Sequence, residues 1–118
     1  MADIERDLSE MKVMWALAMF DLPVKKKDER RIATRFRKHL LSKGFTMLQF
    51  SVYAKFCSSR DSATSVIGAI KTTLPEKGHV RIALVTDKQF GEMFVFEGMK
   101  QLNREERQED APQQLMLF

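Results

Sequence analysis

Cysteine is almost missing from this 118-residue chain, where Cys57 stands alone. One thiol excludes an intrachain disulfide and a cysteine-built zinc centre, so any metal would have to sit on oxygen ligands. Long apolar runs are missing too: none approaches the ~18 residues a membrane span requires. Residues 1–11 are acidic and lack the apolar centre of a secretory signal. These absences set the expectation of a cytoplasmic protein with no membrane partner. A glycine-rich phosphate loop, an HExxH string, an internal repeat and a long low-complexity segment are likewise not found. His39 and His79 have no serine or carboxylate at catalytic spacing and read as surface or boundary residues. Cys57 lacks the flanking positive charges that activate a thiol.

What is present fits one folded domain, with 44% hydrophobic and 31% charged residues. The net charge of +4 divides unevenly along the chain. Residues 1–11 carry −3 and residues 101–118 carry −2, while the body between them has 17 basic against 8 acidic side chains, a net +9. A basic body between acidic ends points to a polyanionic partner for the body and a separate role for the ends. The corresponding division is an acidic extension at 1–11, a domain at 12–98, and an acidic linker with an apolar tail at 99–118.

Residues 13–20 form an unbroken apolar run, which predicts a central strand ending at Asp21-Leu22-Pro23. Ile32, Phe36 and Leu40, with Ala33 and Leu41 beside them, mark one face of a helix capped by Gly44. Leu48, Phe50, Val52, Ala54 and Phe56 alternate with Gln49, Ser51, Tyr53 and Lys55, the pattern of a second strand with one polar face. Ala63, Val66, Ile67 and Ile70 give a second helix, residues 80–85 a third strand and residues 92–96 a fourth. The order is β-α-β-α-β-β. Two helices cover one face of four strands, so the expected class is an α+β, ferredoxin-like sandwich. Its bare sheet face would pair with a second copy as a homodimer, with Gln49, Ser51 and Tyr53 at a hydrogen-bonded interface, unless loops and the tail cover it.

Residues 25–43 hold nine basic side chains against Asp28 and Glu29. Lys27, Arg31, Arg35 and Lys38 follow helical spacing as one stripe, and Arg30 and Arg37 widen it away from the apolar face. Planar guanidinium groups suit phosphates, and so unbalanced a stripe repels itself when merely solvated. Asp21, alone at a strand end before a rigid turn, is open to two readings. One is a turn stabilised by its own side chain. The other is an oxygen ligand for Mg2+, doubled by a two-fold axis.

The strings Met19-Phe20-Asp21-Leu22-Pro23, Arg35-Phe36-Arg37-Lys38, Gly44-Phe45 and Leu48-Gln49-Phe50-Ser51-Val52-Tyr53 together resemble the small CRISPR-associated adaptation proteins of the Cas-two family. They are most similar to the version found beside type II effectors. The resemblance implies a ferredoxin-like homodimer with a strand exchanged near the C-terminus. It implies a DNA-bridging place beside the Cas-one integrase during spacer acquisition, and the charge and spacing of Lys27, Arg30, Arg31, Arg35, Arg37 and Lys38 make them the residues expected to hold that double-stranded DNA. It also implies a metal-dependent endonuclease acting on RNA or DNA, in which Asp21 is the catalytic residue and the magnesium ligand.

The last residues add one more expectation. Gln114-Leu115-Met116-Leu117-Phe118 follows an acidic stretch and ends in four apolar side chains that need cover. Leu115, Met116, Leu117 and Phe118 read either as a strand added to the partner protomer or the integrase, or as a docking peptide. In the second case the string resembles the Q-L-x-L-F pentapeptide by which bacterial proteins engage the replication sliding clamp.

Overall fold

The computed structural model describes residues 13–98. Its elements are β1 (Met14–Asp21), α1 (Lys27–Ser42), β2 (Thr46–Gln49), β3 (Val52–Cys57), α2 (Arg60–Lys71), β4 (His79–Thr86) and a short α3 (Asp87–Gly91). The four strands form one antiparallel sheet in the order β2-β3-β1-β4. This is the ferredoxin-like α+β architecture, and β1 is the central strand that its apolar run predicts.

The order differs from the expected one at two places. The alternation over residues 48–56 is broken by a reversal at Phe50-Ser51, so one expected strand becomes the hairpin β2-β3. Ser51 takes a φ of +66°, and its carbonyl accepts the Phe20 N–H at 3.0 Å. Phe50, 88% exposed, caps the tip. The second departure is at residues 92–96, which lie outside any strand. Their β-prone side chains do not suffice, because a strand needs a neighbour to take its ladder hydrogen bonds.

The hairpin also reverses the expected faces of the second strand. Tyr53, expected on a polar interface, is 3% exposed and packs on Phe20, with ring centroids 5.6 Å apart. It shares the helix-covered face with Ala18, its partner in register. Phe20 in turn meets Phe36 of α1 edge-to-face at 5.2 Å. These rings join Met14, Ala16, Leu40, Phe45 and Ile70 in the core cluster. Ala16 and Ala18 leave room in the middle of β1 for Phe36, Leu40 and Ile70 to fill the space from the helix side.

The helix α1 buries Ala33, Phe36 and Leu40, whereas Ile32 and Leu41 stay exposed. It ends as its glycine predicts. Gly44 (φ +94°) donates its N–H to the Leu41 carbonyl at 3.0 Å, and Phe45 donates to Leu40 at 3.1 Å. That pair of bonds is a Schellman closure, with Phe45 and Leu40 both buried behind it. The helix α2 starts at Ser59, whose Oγ accepts the Ser62 N–H at 3.1 Å.

The opposite sheet face is largely apolar. In register it presents Trp15, Leu17 and Met19 of β1, Val52, Ala54 and Phe56 of β3, and Ala83 and Val85 of β4. Among the described residues the short α3 covers one end: Phe90 stacks on Trp15 at 4.0 Å and 8°, while Trp15 Nε1 donates to Asp87 at 2.8 Å. Phe56, Met93, Phe94, Val95 and Phe96 remain exposed. Among the described residues no helix is long and apolar enough to cross a membrane.

Candidate nucleic-acid interface and metal position

Burial of Ala33, Phe36 and Leu40 fixes the rotation of α1, which turns its basic stripe to solvent. Lys27, Arg30, Arg31, Thr34, Arg35 and Lys38 line one shallow groove along the helix. Five of the six basic residues expected to touch phosphate are therefore brought together. Arg37 is the exception: it is half-buried, lies outside the groove, and donates Nη2 to Thr34 Oγ1 at 3.1 Å.

The groove's side chains differ in freedom. Arg30 donates Nη1 to the carbonyls of Val24 (3.2 Å) and Lys25 (2.8 Å), tying the entry loop to the helix. Arg31 meets Asp28 at 3.2 Å, with both side chains mostly exposed. Such a pair contributes little to stability and exchanges readily for a phosphate. Glu29 faces the other way, accepting the backbone N–H groups of Lys26 (3.0 Å) and Lys25 (3.1 Å). The Lys26 hydrogen bond, helped by that of Lys25 and the charges of Lys77 and Lys26, holds its carboxyl below the usual range against a smaller opposing desolvation. Glu29 thus serves the helix start and is drawn away from the phosphate groove.

Asp21 occupies the exposed end of β1. The sheet register sets His79 directly across from it, with Arg81 as its diagonal neighbour on the same face. Met19, Phe20, Asp21, His79 and Arg81 line a small hollow there. His79, expected as a boundary residue without a carboxylate, thus has Asp21 opposite it, and neither it nor Arg81 is marked in the sequence because their separation from Asp21 along the chain carries no periodic signal. Gly78, at φ +90°, completes the arrangement: a Cβ there would lie 2.5 Å from the Asp21 carbonyl oxygen and 3.0 Å from Leu22 Cα. Only glycine lets the β4 entry pass so close to the end of β1.

For magnesium this is a partial fit. Among the described residues no three or more His, Cys, Asp or Glu side chains gather as a metal cage. Asp21 supplies one carboxylate, and a neutral imidazole is a poor ligand for so hard a cation. Magnesium does accept one or two carboxylates when water and substrate phosphate complete its shell. Cys57 is remote from such chemistry. It is buried beneath the helices, and that burial pushes its thiol pKa up, with Lys55 opposing. Leu115, Met116, Leu117 and Phe118, and the acidic extension at 1–11, lie outside the described residues.

Known proteins resemble this chain over most of its length. A family model described as CRISPR associated protein Cas2 matches residues 14–93. The chain is 45% identical over 112 residues to the CRISPR-associated endoribonuclease Cas2 of Flavobacterium psychrophilum, covering 94% of this chain and 93% of that protein. It is 41% identical over 105 residues to the protein of the same name from Parvibaculum lavamentivorans, covering 89% and 100% respectively. To that of Paracidovorax avenae it is 42% identical over 111 residues, covering 94% and 99%.

Proposed function

The chain belongs to the CRISPR-associated Cas2 family, and from that premise we propose that it is a nucleic-acid-binding scaffold for spacer acquisition. In this reading two copies pair through their apolar sheet faces, hold double-stranded DNA on their α1 grooves, and present it to the Cas-one integrase. The observation that carries the reading is the groove itself, where five basic side chains gather on the solvent side of a helix rotated by its own core residues. The apolar sheet face, with half-buried Leu17, Met19 and Val52 beside exposed Phe56, supports the pairing, since an apolar area of that kind favours burial against a like surface.

Duplex affinity should fall steeply with salt. Roughly six to ten phosphate contacts per dimer give a log–log slope of about −5 to −9, and Arg31→Ala/Arg35→Ala should flatten it by about two units per protomer pair of contacts removed. Reconstituted spacer integration with the cognate integrase is the decisive assay. A scaffold predicts that Asp21→Ala integrates normally and Arg31→Ala/Arg35→Ala fails. A salt slope near zero, or normal integration by the arginine variant, counts against it.

A second reading, favoured by the hollow at the end of β1, is a magnesium-dependent endonuclease acting on RNA or DNA. Asp21 and its copy across the two-fold axis would hold the ion. Bound there, magnesium would supply Lewis-acid stabilisation of charge on the phosphate. Arg81 would grip a neighbouring phosphate oxygen, and His79 would hold or release a proton within reach of the scissile group. The name its relatives carry, endoribonuclease, supports this reading. It predicts cleavage lost both with EDTA and in Asp21→Ala, with fold and dimerisation kept. Equal cleavage by that variant would sink it.

A further inference from the structure

A second concave surface adjoins the basic groove and shares Arg35 with it. Two adjoining hollows run between α1 and the loop that joins α2 to β4, sharing Ile32, Pro75 and Glu76. Their floor is apolar: Ile32 and Leu74 are exposed large hydrophobics, and Phe36 closes the bottom. Their rims mix charges: Lys26, Lys77, Asp28 and Glu29 line one hollow, Arg35 lines the other, and Glu76 belongs to both. His39 also lines the second hollow, where its Nε2 has no hydrogen-bond partner among the described residues.

Residues 99–118 continue the chain past Gly98 with matching chemistry. Glu105, Glu106, Glu109 and Asp110 outnumber Arg104 and Arg107, leaving a net −2, and Leu115, Met116, Leu117 and Phe118 follow as an apolar run. That order, acidic then apolar, mirrors the surface, where the basic stripe of α1 adjoins the apolar hollows through the shared residue Arg35. Reach is ample. The 16 residues between Gly98 and Leu115 extend to roughly 50 Å, against a diameter of about 30 Å for a domain of this size.

We infer that the segment 104–118 docks on its own domain, its acidic residues along the Lys27–Lys38 stripe and its apolar tip in the hollows between α1 and the α2-β4 loop, where it competes with nucleic acid. The regulatory consequence rests on the DNA-binding reading; the docking does not. A tethered segment sees its site at an effective concentration of the order of millimolar. A contact with a Kd near 1 mM then keeps the surface occupied about half the time or more, and weakens apparent DNA affinity by about two- to five-fold.

The test uses the full chain and three variants. Ending the chain after Asn103 removes both charge and tip. Leu115→Ser/Leu117→Ser/Phe118→Ser removes the tip and keeps every acidic residue. Leu74→Ser alters the hollow alone. All three should bind a short duplex about two- to five-fold more tightly than the parent. In parallel, Leu74→Cys/Leu117→Cys should form an intramolecular disulfide on mild oxidation, and a control pair with Ser65→Cys in place of Leu74→Cys should not. If the serine triple variant binds DNA as the parent does while the truncation binds more tightly, simple charge repulsion explains the effect and the inference falls. It falls equally if cross-linking at 74 matches the control, which would leave the tail to the integrase or the sliding clamp. Should no protein bind DNA, the scaffold reading fails and the cross-link alone decides the docking.

Discussion

Replacing Gly78 with alanine adds one methyl group, and the structure sets what that methyl meets. Its Cβ would stand 2.5 Å from the Asp21 carbonyl oxygen, 2.9 Å from Leu22 Cδ2 and 3.0 Å from Leu22 Cα. Two of these neighbours are backbone of the turn that closes β1, so relief requires moving the strand end and not merely a side chain. Overpacking of this kind costs about 1–3 kcal/mol. Alanine at φ +90° adds backbone strain of about 1–3 kcal/mol. A combined loss near 3 kcal/mol is a large part of the roughly 5–15 kcal/mol that holds a domain folded. For a domain of this size it lowers Tm by roughly 12–24 °C. Gly68 is the internal control: it lies within α2, and a Cβ there meets nothing within 4 Å. Gly68→Ala should therefore stabilise by about 0.5–1 kcal/mol. Urea and thermal unfolding of both variants, at one protein concentration, measure the contrast. Equal midpoints for Gly78→Ala and the parent would refute the claim that β4 enters against the backbone of Asp21.

Three further outcomes follow from the same geometry. Phe36→Ala empties the space under Phe20 and should cost about 3–5 kcal/mol in denaturant unfolding, whereas truncating the exposed Phe50 should cost little. Glu29 has its folded pKa below the ordinary value, so its support of the Val24-Lys26 entry loop is complete above the unfolded pKa and is lost as pH falls through the folded one. A carboxyl NMR titration should find its midpoint below the ordinary glutamate value, and Glu29→Gln should remove the acid-side fraying of the helix start; an unshifted midpoint would contradict the hydrogen bonds. Cys57, with its thiol pKa raised by burial, should label slowly at mildly alkaline pH in the folded protein and rapidly in denaturant. Full-rate native labelling would place it at the surface.

Much of this was legible in local patterns. The apolar run at 13–20, the four-residue spacing of Phe36 and Leu40, and Gly44 after the helix each depend on neighbours within a few positions, and each corresponds to the element observed. The basic stripe was legible for the same reason, since helical periodicity alone puts Lys27, Arg31, Arg35 and Lys38 on one side. The hairpin was not. Its reversal at Phe50-Ser51 has neither glycine nor proline to mark it, and a continuous period of two looks the same in one long strand as in two strands that bulge between Met47 and Gln49. That single slip exchanged the faces, sending Tyr53 into the core and Phe56 to the open side.

By itself, then, the chain determined its helices, its central strand, the charge of its body and the acidic character of its ends, because each is set by composition and spacing over a turn or two. The tertiary structure decided which residues meet. It brought His79 and Arg81 to Asp21, set Gly78 against that strand end, and turned an apolar sheet face outward. Antiparallel register joins positions nearly sixty residues apart, and no short-range pattern in a sequence encodes which of them will pair.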